Sequence, residues 1–358
     1  MKLIIRLLAV ILIFASLFAV YGCQETPADN QETQGAQKTE NAPFDPENPY
    51  LVMATDIQNG CVAVINLDAE DPMDPDAYYW YWMPDSKLGW KYASKLGRGN
   101  LSDAKFRWSE LHQSYVLLVT GASGYIGIAE YPSGKCIWES LNTGVGPHAI
   151  EMLPSGDLVV ACSGAAKWET EGKVTYYHTE DGKVWNITSE QSLPSAHGVL
   201  WDPEYNVVWA NGYHDLVAYD VVDGSDGKPV LSKRTDKMGA LLVAGSGHDL
   251  TPDYSDPNYL WITCEQSVQK YDKKADKVLN NYTYSDKVFG KHRVKGVTNF
   301  FDGAVAYAQT GATTNDWLET FCVVWPMDLE GKESVVVEYK SQDGSFWNKV
   351  RNFDPDYQ

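Results

Sequence analysis

Short apolar runs, each closed by Gly, Pro, Asp or Asn, recur along the chain from Tyr50 onward; Leu158-Val159-Val160-Ala161-Cys162 and Tyr259-Leu260-Trp261-Ile262-Thr263 are two of them. Runs of this length between turn residues predict β-strands. The runs are themselves organised. Pro147-His148-Ala149-Ile150, Ala196-His197-Gly198-Val199 and Gly247-His248-Asp249-Leu250 place histidines 49 and 51 residues apart. Each string opens a unit of strand, turn, second strand, polar loop and third strand, with a fourth strand leading onward. Four short strands in about fifty residues is the pattern of a propeller blade.

The same template covers Ser102-Asp103-Ala104-Lys105 with the run Tyr115 to Thr120, and Val294-Lys295-Gly296-Val297 with Ala304 to Ala308. That makes five units. The ends supply a sixth, because Trp347-Asn348-Lys349-Val350-Arg351 reads as a lone first strand while Tyr50 to Ala54 begins at a second strand. The expected fold is all-β, a six-bladed β-propeller over residues 48–358 closed by the C-terminal strand joining the N-terminal blade, which protects the sheet edges. The string from Pro147 to Ala161 resembles the blade consensus of NHL and YVTN-type propellers. The longer series of Ser-Asp-Ala-Lys, Pro-His, Ala-His-Gly-Val and Gly-His-Asp-Leu strings resembles an uncharacterised bacterial secreted propeller family. This resemblance implies the fold and is nearly silent on chemistry.

Ahead of the repeats lies an address. Lys2 and Arg6 precede an uncharged apolar stretch from Leu7 to Val20 that ends in Val20-Tyr21-Gly22-Cys23. A short apolar segment closed by Gly-Cys resembles a bacterial lipobox, with residues 1–22 as signal peptide and Cys23 as the lipidated residue. Tyr21 departs from the usual small residue, and an ordinary secretory signal is the alternative. Residues 23–47, polar and rich in Gln, Glu, Thr and Pro, read as a flexible tether. The expected location is the bacterial cell envelope, lipid-anchored and extracytoplasmic.

Composition narrows the partners. With 48 acidic against 29 basic residues, a formal charge of −19 and no Lys/Arg run, the chain lacks the cationic surface that nucleic acid requires. Cys61, Cys136, Cys162, Cys264 and Cys322 are widely spaced beside apolar residues, which favours buried thiols over zinc ligands or a disulfide framework.

Candidate chemistry follows from repeat position. Placed at one phase, Lys105, His148, His197, His248, Lys295 and Lys349 form three contiguous histidines opposite three contiguous lysines, with Arg107 and Arg351 two residues further along. Three neutral imidazoles on adjacent blades can hold a divalent metal such as zinc, manganese or calcium. The cations call for an anionic ligand or for buried carboxylates, with Asp56, Asp103, Asp249 and Glu265 as internal candidates. Loops on the same face add Tyr213, His214 and Glu265 as acid–base candidates, and Trp168 and Trp317 as surfaces on which sugar rings stack.

Two readings of function stand. In one, the mouth binds an anionic carbohydrate and a metal-assisted lyase or hydrolase cleaves it. In the other, the same face holds a glycan or protein partner without turnover. A third, plainer account makes the histidines hydrogen-bonded core residues and the lysines blade-to-blade ion pairs.

Overall fold

A computed structural model describes residues 50–96, 99–141, 146–164, 167, 169–235, 246–279, 293–310, 319–325, 335–339 and 347–354, with 310, 319–325 and 335–339 described as backbone alone. The expected signal peptide and tether with Cys23, and the candidate tryptophans Trp168 and Trp317, lie outside these residues.

Among the described residues, the strands form six four-stranded antiparallel sheets. Five of them are built from consecutive strands, and their first strands are Leu101–Ser109, Pro147–Met152, Gly198–Asp202, Gly247–Pro252 and Val294–Asn299. The remaining sheet combines Leu51–Asp56, Cys61–Asn66 and Trp80–Trp82 with Trp347–Asn352, which pairs alongside Leu51–Asp56 with Met53 opposite Arg351 and Ala54 opposite Val350. Each first strand packs against the first strand of the next sheet, and Trp347–Asn352 packs against both Val294–Asn299 and Leu101–Ser109. The fold is an all-β propeller.

Alternating side chains explain why the sheets stack face to face. Along Gly198–Asp202 and Val207–Asn211, Val199, Trp201, Val208 and Ala210 face Ala149, Val159 and Ala161 of the preceding sheet in one buried cluster. Trp80 and Trp82 are buried and Tyr81 between them is exposed, so Trp80–Trp82 forms the outer strand of its sheet with its two indoles packed inward. The late strand is seated by rings at its two ends. Phe353 meets Phe106 edge-on at 4.7 Å between centroids, and Trp347 meets Tyr78 at 6.2 Å. Cys61, Cys162 and Cys264 are buried and Cys136 is half-buried, and none of the four is in a disulfide. No helix among the described residues is long and apolar enough to cross a membrane.

Candidate functional site: the bulged ends of the inner strands

Five inner strands carry a β-bulge near their start. The register slips between Leu101 and Asp103, Pro147 and Ala149, Gly247 and Asp249, Val294 and Gly296, and opposite Thr55 in the sheet that holds Trp347–Asn352. The inserted residues are Ser102, His148, His248, Lys295 and Asn348. His197, which directly precedes the Gly198–Asn211 pair, holds the same place in the remaining sheet. A bulge leaves the extra residue out of the ladder and re-aims its side chain, so one level of the inner strands presents these six residues together.

The register corrects the expected ring of three histidines and three lysines. Lys295 shares the histidine level, whereas Lys349 stands one residue beyond its bulge and Lys105 three residues beyond. The bulge recurs at the same place in these strands and so cancels between them; the offsets of three and one arise because the strands of Lys105 and Lys349 place Ser102 and Asn348, not lysine, at the histidine level. At the level of Lys105 the other strands place Glu151, Leu200, Thr251, Thr298 and Arg351.

At the bulge level the side chains touch. The rings of His148 and His197 stack at 4.3 Å with 22° between planes, and His197 meets His248 edge-on at 5.7 Å. Lys295 Nζ lies 3.1 Å from His248 Nε2, and Glu265 Oε2 lies 2.9 Å from the same nitrogen. As an N–H that nitrogen donates to Glu265; as a lone pair it accepts from Lys295. Arg293 Nε donates to the other Glu265 oxygen at 3.1 Å. His197 Nδ1 donates to the Ser195 carbonyl at 2.8 Å, which leaves its Nε2 as the acceptor.

The electrostatics keep these imidazoles neutral. Burial, then the nearby Lys349, pushes the His148 pKa down to about 3. Burial and Lys295 push His248 down to about 4, and burial with the neighbouring histidines holds His197 well below its ordinary value. Glu265 is lowered to about 2, chiefly by its hydrogen bond with His248. Among the described residues, no group of three or more His, Cys, Asp and Glu side chains is arranged to hold a metal ion. Where His148 and His197 meet, ring faces rather than nitrogens are in contact.

Beneath this level the expected ligand-binding cations are paired inside the protein. Lys105 Nζ donates to Glu151 Oε2 at 3.1 Å, and Arg107 spans the same carboxylate through Nε at 2.6 Å and Nη2 at 2.8 Å. Arg351 donates to Asp103 at 2.8 Å and to both oxygens of Asp249, and Lys349 pairs with Asp249 at 3.2 Å. These seven residues are at most 6% exposed. For Lys105, Arg107, Lys349 and Arg351 the ion-pair account therefore describes the contacts. Of the internal carboxylates expected to meet them, Asp103 and Asp249 do so, while Asp56 serves Asn59 in a turn.

Of the acid–base candidates, Glu265 joins the histidines. Tyr213 and exposed His214 instead meet each other edge-on at 4.4 Å, and the Tyr213 hydroxyl donates to Glu169 at 3.4 Å. Sequence reasoning missed Arg293 and Glu151. The legible signal for Glu151 is a single carboxylate inside the apolar string Ala149-Ile150-Glu151-Met152.

Comparison with known proteins adds a family. The model of a family of unknown function, DUF6528, matches residues 9–323. The chain belongs to that family. No curated protein matches it. Among solved structures, a chain of the crystal structure of the nidogen/laminin complex is 13% identical with a TM-score of 0.52, over 84% of this chain and 97% of that one. A functionally unknown protein from Desulfotomaculum acetoxidans is 12% identical with a TM-score of 0.47, over 80% of this chain and 78% of that one. The likeness to the nidogen/laminin chain concerns the fold alone.

Proposed function

We propose that this DUF6528 member is a lipid-anchored, extracytoplasmic binding propeller, a ring of six blades closed by its C-terminal strand, which takes an anionic carbohydrate at the histidine end of the ring. Closure is supported by the pairing of Trp347–Asn352 with Leu51–Asp56 and by the cyclic order in which the inner strands touch. The anchor rests on the apolar leader and its Gly22-Cys23 ending.

The observation that carries the reading is the bulge level itself: neutral His148, His197 and His248 in contact with one another and with Lys295, rimmed by the Glu265–Arg293 pair. Neutral imidazoles offer one donor and one acceptor each, the pattern that sugar hydroxyls match, and Lys295 and Arg293 supply charge for a uronate or sulfate. Holding is favoured over cleavage. A base whose conjugate acid has a pKa of about 3 or 4 takes a proton poorly at neutral pH, and so does a carboxylate held at about 2.

Calorimetric titration of the purified protein with oligouronates, sulfated oligosaccharides and neutral controls tests this. The acidic ligands are expected to bind, Lys295→Ala to weaken them roughly tenfold, the cost of one charge-assisted hydrogen bond, and mass spectrometry to recover them intact. Equal binding of neutral sugars, or indifference to Lys295→Ala, overturns the reading. Cleaved product would replace it with the lyase or hydrolase reading. Stoichiometric zinc, manganese or calcium in the purified protein would replace it with a metal centre on His148, His197 and His248.

A further inference from the structure

The charged residues beneath the histidines do not balance. Lys105, Arg107, Lys349 and Arg351 contribute four cations; Asp103, Glu151 and Asp249 contribute three carboxylates. Each cation has a carboxylate partner, yet the seven buried residues carry a net charge of +1, which a further negative charge nearby would offset. Two further observations locate it. A cavity with room for about one water-sized body is lined by Lys105, Arg107 and Arg351, together with Thr251, Tyr254 and Asp354. Arg351 Nε is buried without a hydrogen-bond partner among the described residues, although both terminal nitrogens of that guanidinium are engaged. This cavity lies toward the C-terminal ends of the inner strands. Lys105 and Arg351 stand three residues past the bulge and Arg107 five, a separation from the histidine level of roughly 10 Å or more at the strand rise.

We propose that this cavity is a binding site for one small monovalent anion, of halide size, held by Arg107, Arg351 and Lys105. Size sets the class: a monatomic halide, modestly larger than water, is the anion closest to this space, whereas sulfate or a sugar acid is far larger. Asp354 lines the same cavity but is only half-buried. Its carboxylate is the internal competitor for the anion. Neutral Thr251 and the Tyr254 hydroxyl complete the wall without adding negative charge at neutral pH; burial raises the Tyr254 pKa above its ordinary value. The site is separate from the histidine level, so its fate does not depend on whether a glycan binds there.

Thermal unfolding of the whole protein at constant ionic strength, with gluconate exchanged stepwise for chloride or bromide, gives the first measurement. A saturable rise in the unfolding midpoint is expected with the halides and none with sulfate. Asp354→Asn should shift half-saturation to several-fold lower halide, and Lys105→Met should abolish the dependence. Because Lys105→Met removes a buried charge and risks misfolding, anomalous diffraction from wild-type crystals grown in bromide provides an independent reading. A bromide peak within hydrogen-bond distance of Arg351 Nε is expected. Only water at that position, a midpoint that follows ionic strength whatever the anion, or a weaker halide response in Asp354→Asn overturns the proposal.

Discussion

Glu151 accepts from Lys105 and twice from Arg107 with none of its own surface exposed. Replacing it by Gln leaves two buried cations facing a neutral amide, and such losses run to about 3–5 kcal/mol. Urea unfolding of Glu151→Gln should therefore show a much lower midpoint, whereas Lys91→Ala on the exposed surface should change it little. The histidines act on stability through pH. Their folded pKa values lie below the unfolded value near 6.5, so the folded state binds fewer protons in the window between. The stability they contribute is complete above about pH 6.5 and is lost as pH falls toward about 4 for His248 and about 3 for His148. Chemical unfolding measured from pH 7 to pH 4 should show that decline, and His148→Gln should flatten it.

At the scale of elements, the repeat was legible because strands, turns and Pro-His, Ala-His and Gly-His strings recur at nearly constant spacing. The contact of His148, His197 and His248 follows from that spacing alone. The levels of Lys105 and Lys349 did not follow, because their strands carry Ser102 and Asn348 at the histidine level, and matching lysine to histidine displaces the two strands by three residues and one. Nor did the partner of Arg351, whose pairing with Asp103 joins positions 248 residues apart. Such pairings join strands distant in sequence and leave no local trace. Arg351 also bears a prediction of its own. It reaches Asp103 and both oxygens of Asp249 through a planar fork. A lysine keeps the charge and loses the fork, so Arg351→Lys should lower the urea midpoint clearly rather than behave as a neutral exchange. Phe353, buried among Phe106, Tyr131 and Tyr79, should cost about 3–5 kcal/mol on truncation to Ala, read in the same unfolding experiment.

For the molecule as a whole, the formal charge of −19 describes an average. Five cations (Lys105, Arg107, Lys295, Lys349 and Arg351) sit on the inner strands with four carboxylates (Asp103, Glu151, Asp202 and Asp249), and the acidic excess lies elsewhere. An acidic exterior discourages contact with anionic lipid headgroups, so the proposed attachment to a membrane rests on the leader and Cys23 alone. Fractionation of expressing cells should find the protein with membranes, and Cys23→Ser should move it to the soluble envelope fraction. Because an acidic glycan must approach the histidine end through a repulsive field, screening by added salt should raise its association rate, read by stopped-flow mixing.

The pairing of Trp347–Asn352 with Leu51–Asp56 has a consequence for how the protein is made. Lys349 N–H donates to Thr55 Oγ1 across 294 residues of chain. A polypeptide emerging from a ribosome or threading through a secretion pore exposes the edge of its opening hairpin first and receives the covering strand almost last. Until then that edge is open to stray pairing with other chains. Small deletions within Trp347–Asn352 should therefore be far more damaging to yield than equally small ones in the polar stretch before Tyr50.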